Sequence, residues 1–341
     1  MLALALAPSR VQLEDPETEE LCFNEPGQAW WLRTRSAFER VPFPEMTFRR
    51  LHGIATMAAA QTRQTIGPRK PLMGTDLPSG HRLQVVLPPA VPHGSISLTF
   101  RRPGDDVSPV EDIGARYDTA RWNRWTDRKA QHTAASSVLL GLFDAGDLQG
   151  FLRALASDLR TPLFCGPTGA GKSYLLQTYI PLLDMNARVV VLEDAREAVI
   201  PQPNHVRLFY SAGGLSGGAT LTELMVASLR MRPSFVVLQE MRDPEAAWTF
   251  VMEVISGHPG SPTTIHGRTA PDAAKRLFNL IKSSAEGAAI RDETLIDMLA
   301  SAIDVIVPIG NAGGLRAIHE VWLREDAERR GESFAHLLRE G

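Results

Sequence analysis

Residues 166–173 read Gly166-Pro167-Thr168-Gly169-Ala170-Gly171-Lys172-Ser173. The spacing is G-x-x-x-x-G-K-S, the phosphate-binding loop of nucleoside triphosphatases. Its glycines let the backbone turn N–H groups inward around an anion. Lys172 brings a fixed charge to the β- and γ-phosphates, and Ser173 offers a hydroxyl to Mg²⁺. The helix that begins here aims its positive end at the same phosphates. The flanks agree: Thr161-Pro162-Leu163-Phe164-Cys165 suits a buried strand, and Ser173 to Ile180 continues as a helix. The residues expected to bind nucleotide are therefore Gly166, Thr168, Gly169, Ala170, Gly171, Lys172, Ser173 and the adjoining Tyr174.

Outward from the loop, residues 150–330 alternate apolar strands with punctuated helices, which predicts an α/β domain with a mostly parallel sheet. The strands expected are Leu163–Cys165, Val189–Leu192, Phe235–Leu238 and Val305–Pro308. Thr220-Leu221-Thr222-Glu223 is a capping box, and Asp243-Pro244 opens a helix that Gly257 closes. In such a sheet ligands sit at the carboxyl ends of the strands. Two of these strands end in acids. Phe235-Val236-Val237-Leu238-Gln239-Glu240 would hold the Glu240 carboxylate near Mg²⁺ and the attacking water. Val189-Val190-Val191-Leu192-Glu193-Asp194 ends in a carboxylate pair, of which Glu193 could meet the metal-bound water or the ribose. Arg196 and Glu197 fit a solvated turn equally well. His258 and His266 flank a Gly/Pro-rich loop, Gly257-His258-Pro259-Gly260, and a short run, Thr263-Thr264-Ile265. A histidine beside a γ-phosphate can donate a hydrogen bond and sense hydrolysis.

Residues 1–104 read as a smaller α+β unit. A helical stretch over 45–65 precedes two strands, Arg82–Leu87 and Ser95–Phe100. The second alternates small polar and apolar residues, so one buried face is expected. Residues 105–149 form a long linker carrying Trp122 and Trp125, which suggests that it packs on something, with partial helix. Residues 331–341 are left as a carboxyl-terminal tail.

Composition sets outer bounds. Of 341 residues, 44% are hydrophobic and 22% charged, as in ordinary soluble proteins. The net charge of -3 and the lack of a basic, aromatic stripe argue against a nucleic-acid translocase. Cys22 and Cys165 cannot make a disulfide framework or a four-cysteine zinc site, so a reducing cytosol is expected. The apolar opening Met1–Ala7 lacks a basic start and is a poor signal peptide, and no run approaches membrane-span length.

These boxes, in this order, resemble the traffic ATPases of bacterial secretion. The resemblance rests on the phosphate loop, Leu192-Glu193-Asp194-x-Arg196-Glu197, Leu229-Arg230-Met231-Arg232-Pro233 with Glu240-x-Arg242, Gly257-His258-Pro259-Gly260, and Thr263-Thr264-Ile265-His266. Leu21-Cys22-Phe23-Asn24-Glu25-Pro26-Gly27 and the stretch from Leu77-Pro78-Ser79-Gly80 to Leu98-Thr99-Phe100-Arg101 resemble the amino-terminal domain of type IV secretion and conjugation members. The resemblance implies a RecA-like motor domain, ATP and Mg²⁺, and a homohexameric ring with nucleotide between the two domains. It makes Glu240 the Walker B acid, places Glu193 in an Mg²⁺-supporting acidic box, and gives His266 the role that names the His box. Arg101, Arg230 and Arg242 become candidates for phosphate contacts, some across a subunit boundary, a role that the planar guanidinium suits. The implied setting is the cytoplasmic face of the inner membrane, reached through partner ATPase and scaffold proteins, with no base-specific nucleic-acid contact. The long linker suggests an amino-terminal domain swapped onto a neighbouring motor. A pilus or type II secretion motor is the nearest alternative, though two cysteines exclude the type II zinc module; a nucleotide-gated scaffold with little hydrolysis is another.

Overall fold

A computed structural model describes residues 1–102, 129–210, 218–312, 315–318 and 320–340. The linker expectation over 103–128, including Trp122 and Trp125, lies outside the described residues.

The amino-terminal domain opens with two short helices, α1 (Leu2–Ala5) and α2 (Arg10–Glu14). Three strands follow: β1 (Thr18–Glu25), β2 (Gly27–Arg33) and β3 (Glu39–Phe43). Helix α3 (Phe48–Gln61) then leads to β4 (Leu72–Asp76), β5 (Arg82–Val86) and β6 (Ser97–Arg101). The six strands pair antiparallel in the order β3-β2-β1-β6-β5-β4. Side chains alternate across a sheet, and the alternation sorts this one into two buried faces. Leu21, Phe23, Leu83, Val85, Leu98 and Phe100 pack with Leu51, Ile54 and Ala58 of α3. Their neighbours Cys22, Gln84, Ser97 and Thr99 are buried as well. The expectation of a single buried face on β6 is corrected: the motor domain covers the small polar face, with Thr99 within hydrogen-bond reach of the Arg188 guanidinium.

After the linker come α4 (Lys129–Asp144) and α5 (Leu148–Ser157), so residues 129–149 are largely helical. The motor domain continues with β7 (Pro162–Cys165), α6 (Lys172–Tyr179), β8 (Val189–Glu193), β9 (His205–Phe209), α7 (Leu221–Ser228) and β10 (Phe235–Leu238). Next stand α8 (Pro244–Ser256), β11 (Thr263–Ile265), α9 (Ala270–Lys282), α10 (Ala285–Ala289), α11 (Asp292–Ala302) and β12 (Val305–Ala312). The chain ends with β13 (Leu315–Ile318), β14 (Trp322–Leu323), α12 (Arg324–Arg329) and α13 (Phe334–Glu340). The sheet order is β13-β12-β7-β11-β10-β8-β9; β7 to β12 run parallel, while β13 and β14 pair antiparallel with β12.

The unbroken apolar runs are explained by helices on both faces. Val190, Leu192, Val236 and Leu238 enter one core with residues of α7, α8, α9 and α11. Val189, Val191, Phe235 and Val237 enter the other with residues of α4, α5 and α6. Residues 331–341, expected as a tail, mostly form α13 instead. Phe334 and Leu337 are buried, and the Phe334 ring meets Trp322 edge-on at 5.8 Å.

Candidate functional site

The phosphate loop links β7 to α6 at the carboxyl edge of the sheet, where parallel-sheet chemistry is expected. Two of its glycines have separate reasons. A side chain on Gly166 would stand 2.5 Å from the Ile309 carbonyl oxygen of β12, so close strand packing demands glycine there. Gly171 has φ 103° and would place a Cβ 2.7 Å from Cδ of Arg316. Thr168, Gly169, Ser173 and Tyr174 are exposed around the loop, while Ala170 is buried beneath it.

Lys172 is buried, and its Nζ donates to the carbonyls of Gly166 (3.0 Å) and Pro167 (3.2 Å). It also lies 3.4 Å from Nδ1 of His266, which directly follows β11. Burial lowers the Lys172 pKa, and the Glu240 charge opposes that shift. Nε2 of His266 stands 2.7 Å from Oε1 of Glu240, and Glu240 carries 20% side-chain exposure. An ammonium has only donors. The His266 tautomer that fits both contacts therefore accepts at Nδ1 and donates from Nε2 to Glu240. The chain of contacts continues: Nη2 of Arg242 is 3.5 Å from Glu240 and 2.6 Å from Asp194. Thr264 Oγ1 donates to the Gln239 carbonyl, and Met241 N–H to the Thr264 carbonyl. The strand bearing His266 is thereby pinned to the turn bearing Glu240.

Glu193 does not join this chain. It is wholly buried, its Oε1 accepts from Arg207 at 2.8 Å, and its Oε2 accepts the N–H groups of Glu197 and Ala198, each at 3.0 Å. Both oxygens are thus used to anchor the acidic turn. Glu197 in turn accepts from Gln239 at 2.7 Å. In this geometry Glu193 anchors the acidic turn, and Glu240 is the carboxylate beside Lys172 and His266.

Arg101 and Arg230 are not at the phosphate loop. They line a separate cleft of about 450 Å³ between the domains, with Glu20, Arg82, Arg232 and His258. Arg101 Nε is 3.8 Å from Oε1 of the buried Glu20. Burial pushes the Glu20 carboxyl up to about 7, against the pull of Arg101, Arg188 and Arg232. Arg230 reaches over β4, its guanidinium occupying the space that a side chain on Gly74 would need. The reason for the separation is where the amino-terminal domain docks. Ala90 accepts the N–H of Phe209 on the edge strand β9. The fully buried Arg188, just before β8, donates to Asn24, Asn204 and the Met231 carbonyl. β9 lies four strand steps from β7. At roughly 4.8 Å per step, the docked edge is on the order of 19 Å from the phosphate-loop strand.

Sequence reading missed Arg316, on the returning strand β13. Its guanidinium lies 4.9 Å from the Tyr174 ring centroid and packs on Gly171. No local signal marks it, since β13 is brought to the loop only by its pairing with β12. Arg188 and Arg207 were missed for the same reason: each has partners distant in sequence.

A parallel sheet with a phosphate loop at its carboxyl edge, an acid-ended strand beside it and a histidine joining the two defines a P-loop ATPase. Here it carries an α+β amino-terminal domain. The family model described as type II/IV secretion system protein matches residues 125–309. Protein VirB11 of Rhizobium radiobacter is 46% identical over 99% of this chain and 98% of its own. The type IV secretion system protein VirB11 of Brucella suis is 31% identical over 95% of this chain and 90% of its own. The crystal structure of the Brucella suis VirB11 ATPase in complex with sulphate superposes with a TM-score of 0.84 at 30% identity, covering 96% of each chain. The chain belongs to the VirB11 family of type IV secretion ATPases. It is accordingly an ATP-hydrolysing enzyme of a type IV secretion system. Among the described residues no helix is long and apolar enough to cross a membrane.

Proposed function

We propose that the Lys172–His266–Glu240 chain is the hydrolytic centre of this ATPase, working in a homohexameric ring against the secretion apparatus. The observation that carries the reading is the pair of contacts at His266, 3.4 Å to the phosphate-binding ammonium and 2.7 Å to the carboxylate. Through one imidazole, the group that holds the phosphates is linked to the group that handles water. Lys172 and the loop N–H groups bind the β- and γ-phosphates. Glu240, held on one oxygen by His266 and approached on the other by Arg242, orients the attacking water or takes its proton. Glu193 keeps the turn that carries Asp194 and Glu197 in place.

Mg²⁺ fits this donor set. Ser173 and Glu240 are the hard oxygens that would hold it, Glu240 partly through water, with Glu193 as outer support. Among the described residues no cluster of three or more His, Cys, Asp or Glu could hold a metal alone. Bound with the triphosphate, the ion would neutralise phosphate charge.

Docking of the amino-terminal domain along β9 supports a site completed in trans. Arg101 and Arg230 would then serve a neighbouring subunit's nucleotide, with the linker long enough to swap the domain. Work would pass through that domain to partner ATPase and scaffold proteins at the cytoplasmic face of the inner membrane. In steady-state assays Lys172→Ala should lose ATP binding and turnover. Glu240→Gln should bind ATP yet lose turnover by about 10²-fold or more. Ordinary hydrolysis by either variant would refute the assignment.

A further inference from the structure

Four charged side chains form one row across the amino-terminal sheet. Glu20 of β1 pairs with Arg101 of β6, Arg101 with Arg82 of β5, and Arg82 with Asp76 of β4. All four line the cleft between the domains. Directly opposed side chains have Cβ atoms about 5 Å apart, and like charges so placed repel. Arg101 therefore has a cation on one side and an acid on the other. The two acids of the row differ. Asp76 lies 3.9 Å from Arg82 with 80% of its side chain exposed, whereas Glu20 keeps 4%. Oε1 of Glu20 is 3.8 Å from Nε of Arg101, while the Arg101 side chain is 62% exposed. Contact through Nε leaves the two terminal nitrogens of the guanidinium, the fork that binds phosphate oxygens.

The other cations near Glu20 have partners of their own. Arg188 donates to Asn24, Asn204 and the Met231 carbonyl, and Arg232 lies 3.8 Å from Glu19. Arg230 and His258 line the cleft from the motor side. Burial pushes Glu20 up to about 7; Arg101 opposes that rise most, ahead of Arg188 and Arg232, and Glu19 adds to it. A carboxylate held in this position costs stability, and packing alone gives no reason for one.

We propose that Glu20 is the positioning residue of Arg101, holding Nε so that the terminal nitrogens reach a nucleotide phosphate across the cleft. This rests on Arg101 being a phosphate contact, whether for its own chain's nucleotide or a neighbour's. Only the carboxylate form holds the guanidinium. As pH falls through about 7 Glu20 takes up its proton, and Arg101 keeps the repulsion of Arg82 without the attraction that balances it. Stability has the opposite sign. The folded pKa stands above the ordinary 4.5, so ionisation of Glu20 weakens the fold as pH rises from 4.5 through about 7. Glu20→Gln escapes that loss and should unfold at no lower denaturant concentration than wild type at pH 8.

The test is steady-state ATP turnover of the full chain between about pH 6 and pH 8. The kcat ratio of wild type to Glu20→Gln should be within about twofold at pH 6 and about tenfold at pH 8, with KM changed less than about twofold. In an Arg101→Ala background the same substitution should change kcat less than about twofold at either pH. A ratio flat with pH would overturn the proposal, as would an equal effect with and without Arg101. Earlier unfolding of Glu20→Gln at pH 8 would overturn it too, making Glu20 a structural counter-ion. Arg101→Ala alone is the separate control. Wild-type turnover there would refute the phosphate-contact reading and the Glu20 assignment with it, whereas the pH and background tests bear on Glu20 alone.

Discussion

The two ends of the motor sheet treat acidic side chains in opposite ways. At the carboxyl end three acids have a cation or imidazole beside them: Glu240 with His266 and Arg242, Asp194 with Arg242, Glu193 with Arg207. At the amino end, where the amino-terminal domain docks, burial dominates. Glu20 is pushed up to about 7 and Glu253 to about 8. Burial also raises Asp304, although Arg324 and Arg160 oppose the shift. Glu240 and Asp194 are paired and still reachable, whereas Glu20 and Glu253 are covered and burial favours their protonated forms. The first arrangement stores function in geometry, and the second ties stability to pH.

The larger effect should come from the paired end. His266→Ala removes the imidazole that touches both Lys172 and Glu240. kcat should fall about 100-fold with KM changed far less, because the loop still binds phosphate. A loss confined to KM would make His266 a binding residue and break the contrast. A smaller effect is expected at the buried end. Glu253 is 1% exposed, accepts from Ser228 Oγ at 2.9 Å, and has a second oxygen without a hydrogen-bond partner. Its folded pKa of about 8 stands above the ordinary 4.5, so between these values the folded state holds a proton that the unfolded state has released. Stability therefore falls as pH rises through that window. Glu253→Gln escapes the loss and should match wild type near pH 4.5. By pH 8 it should be more stable by on the order of 2–4 kcal/mol in denaturant titrations. Equal stability of the two proteins at pH 8 would remove the contrast from that side.

The paired end was largely legible in the sequence because its signals are local. The loop, the acid after Val236-Val237-Leu238 and the histidine after Thr263-Thr264-Ile265 each stand at a strand end, and a parallel sheet brings strand ends together. The helix caps at Thr220 and Asp243 were legible for the same reason. What could not be read depended on partners far along the chain. Glu193 looked like a metal-site acid until Arg207 and the following turn were seen to use both its oxygens. β6 looked half-buried because alternation reports side-chain type, and only the docked motor domain shows that Thr99 and Ser97 are covered. α13 looked like a tail because it is short and the partners of Phe334, Leu337 and Leu338 lie elsewhere in the motor domain. Arg101 closes β6 in the interdomain cleft, and which nucleotide it faces is a property of the assembly.

That last point is the most direct to measure. Lys172→Ala subunits lack a working loop but keep Arg101; Arg101→Ala subunits keep the loop. Each should turn over ATP poorly alone. If the site is completed in trans, mixed rings contain intact loops facing intact arginines, and an equimolar mixture should recover a substantial fraction of wild-type turnover. A mixture no more active than its two components would contradict the account and return Arg101 to its own chain's nucleotide.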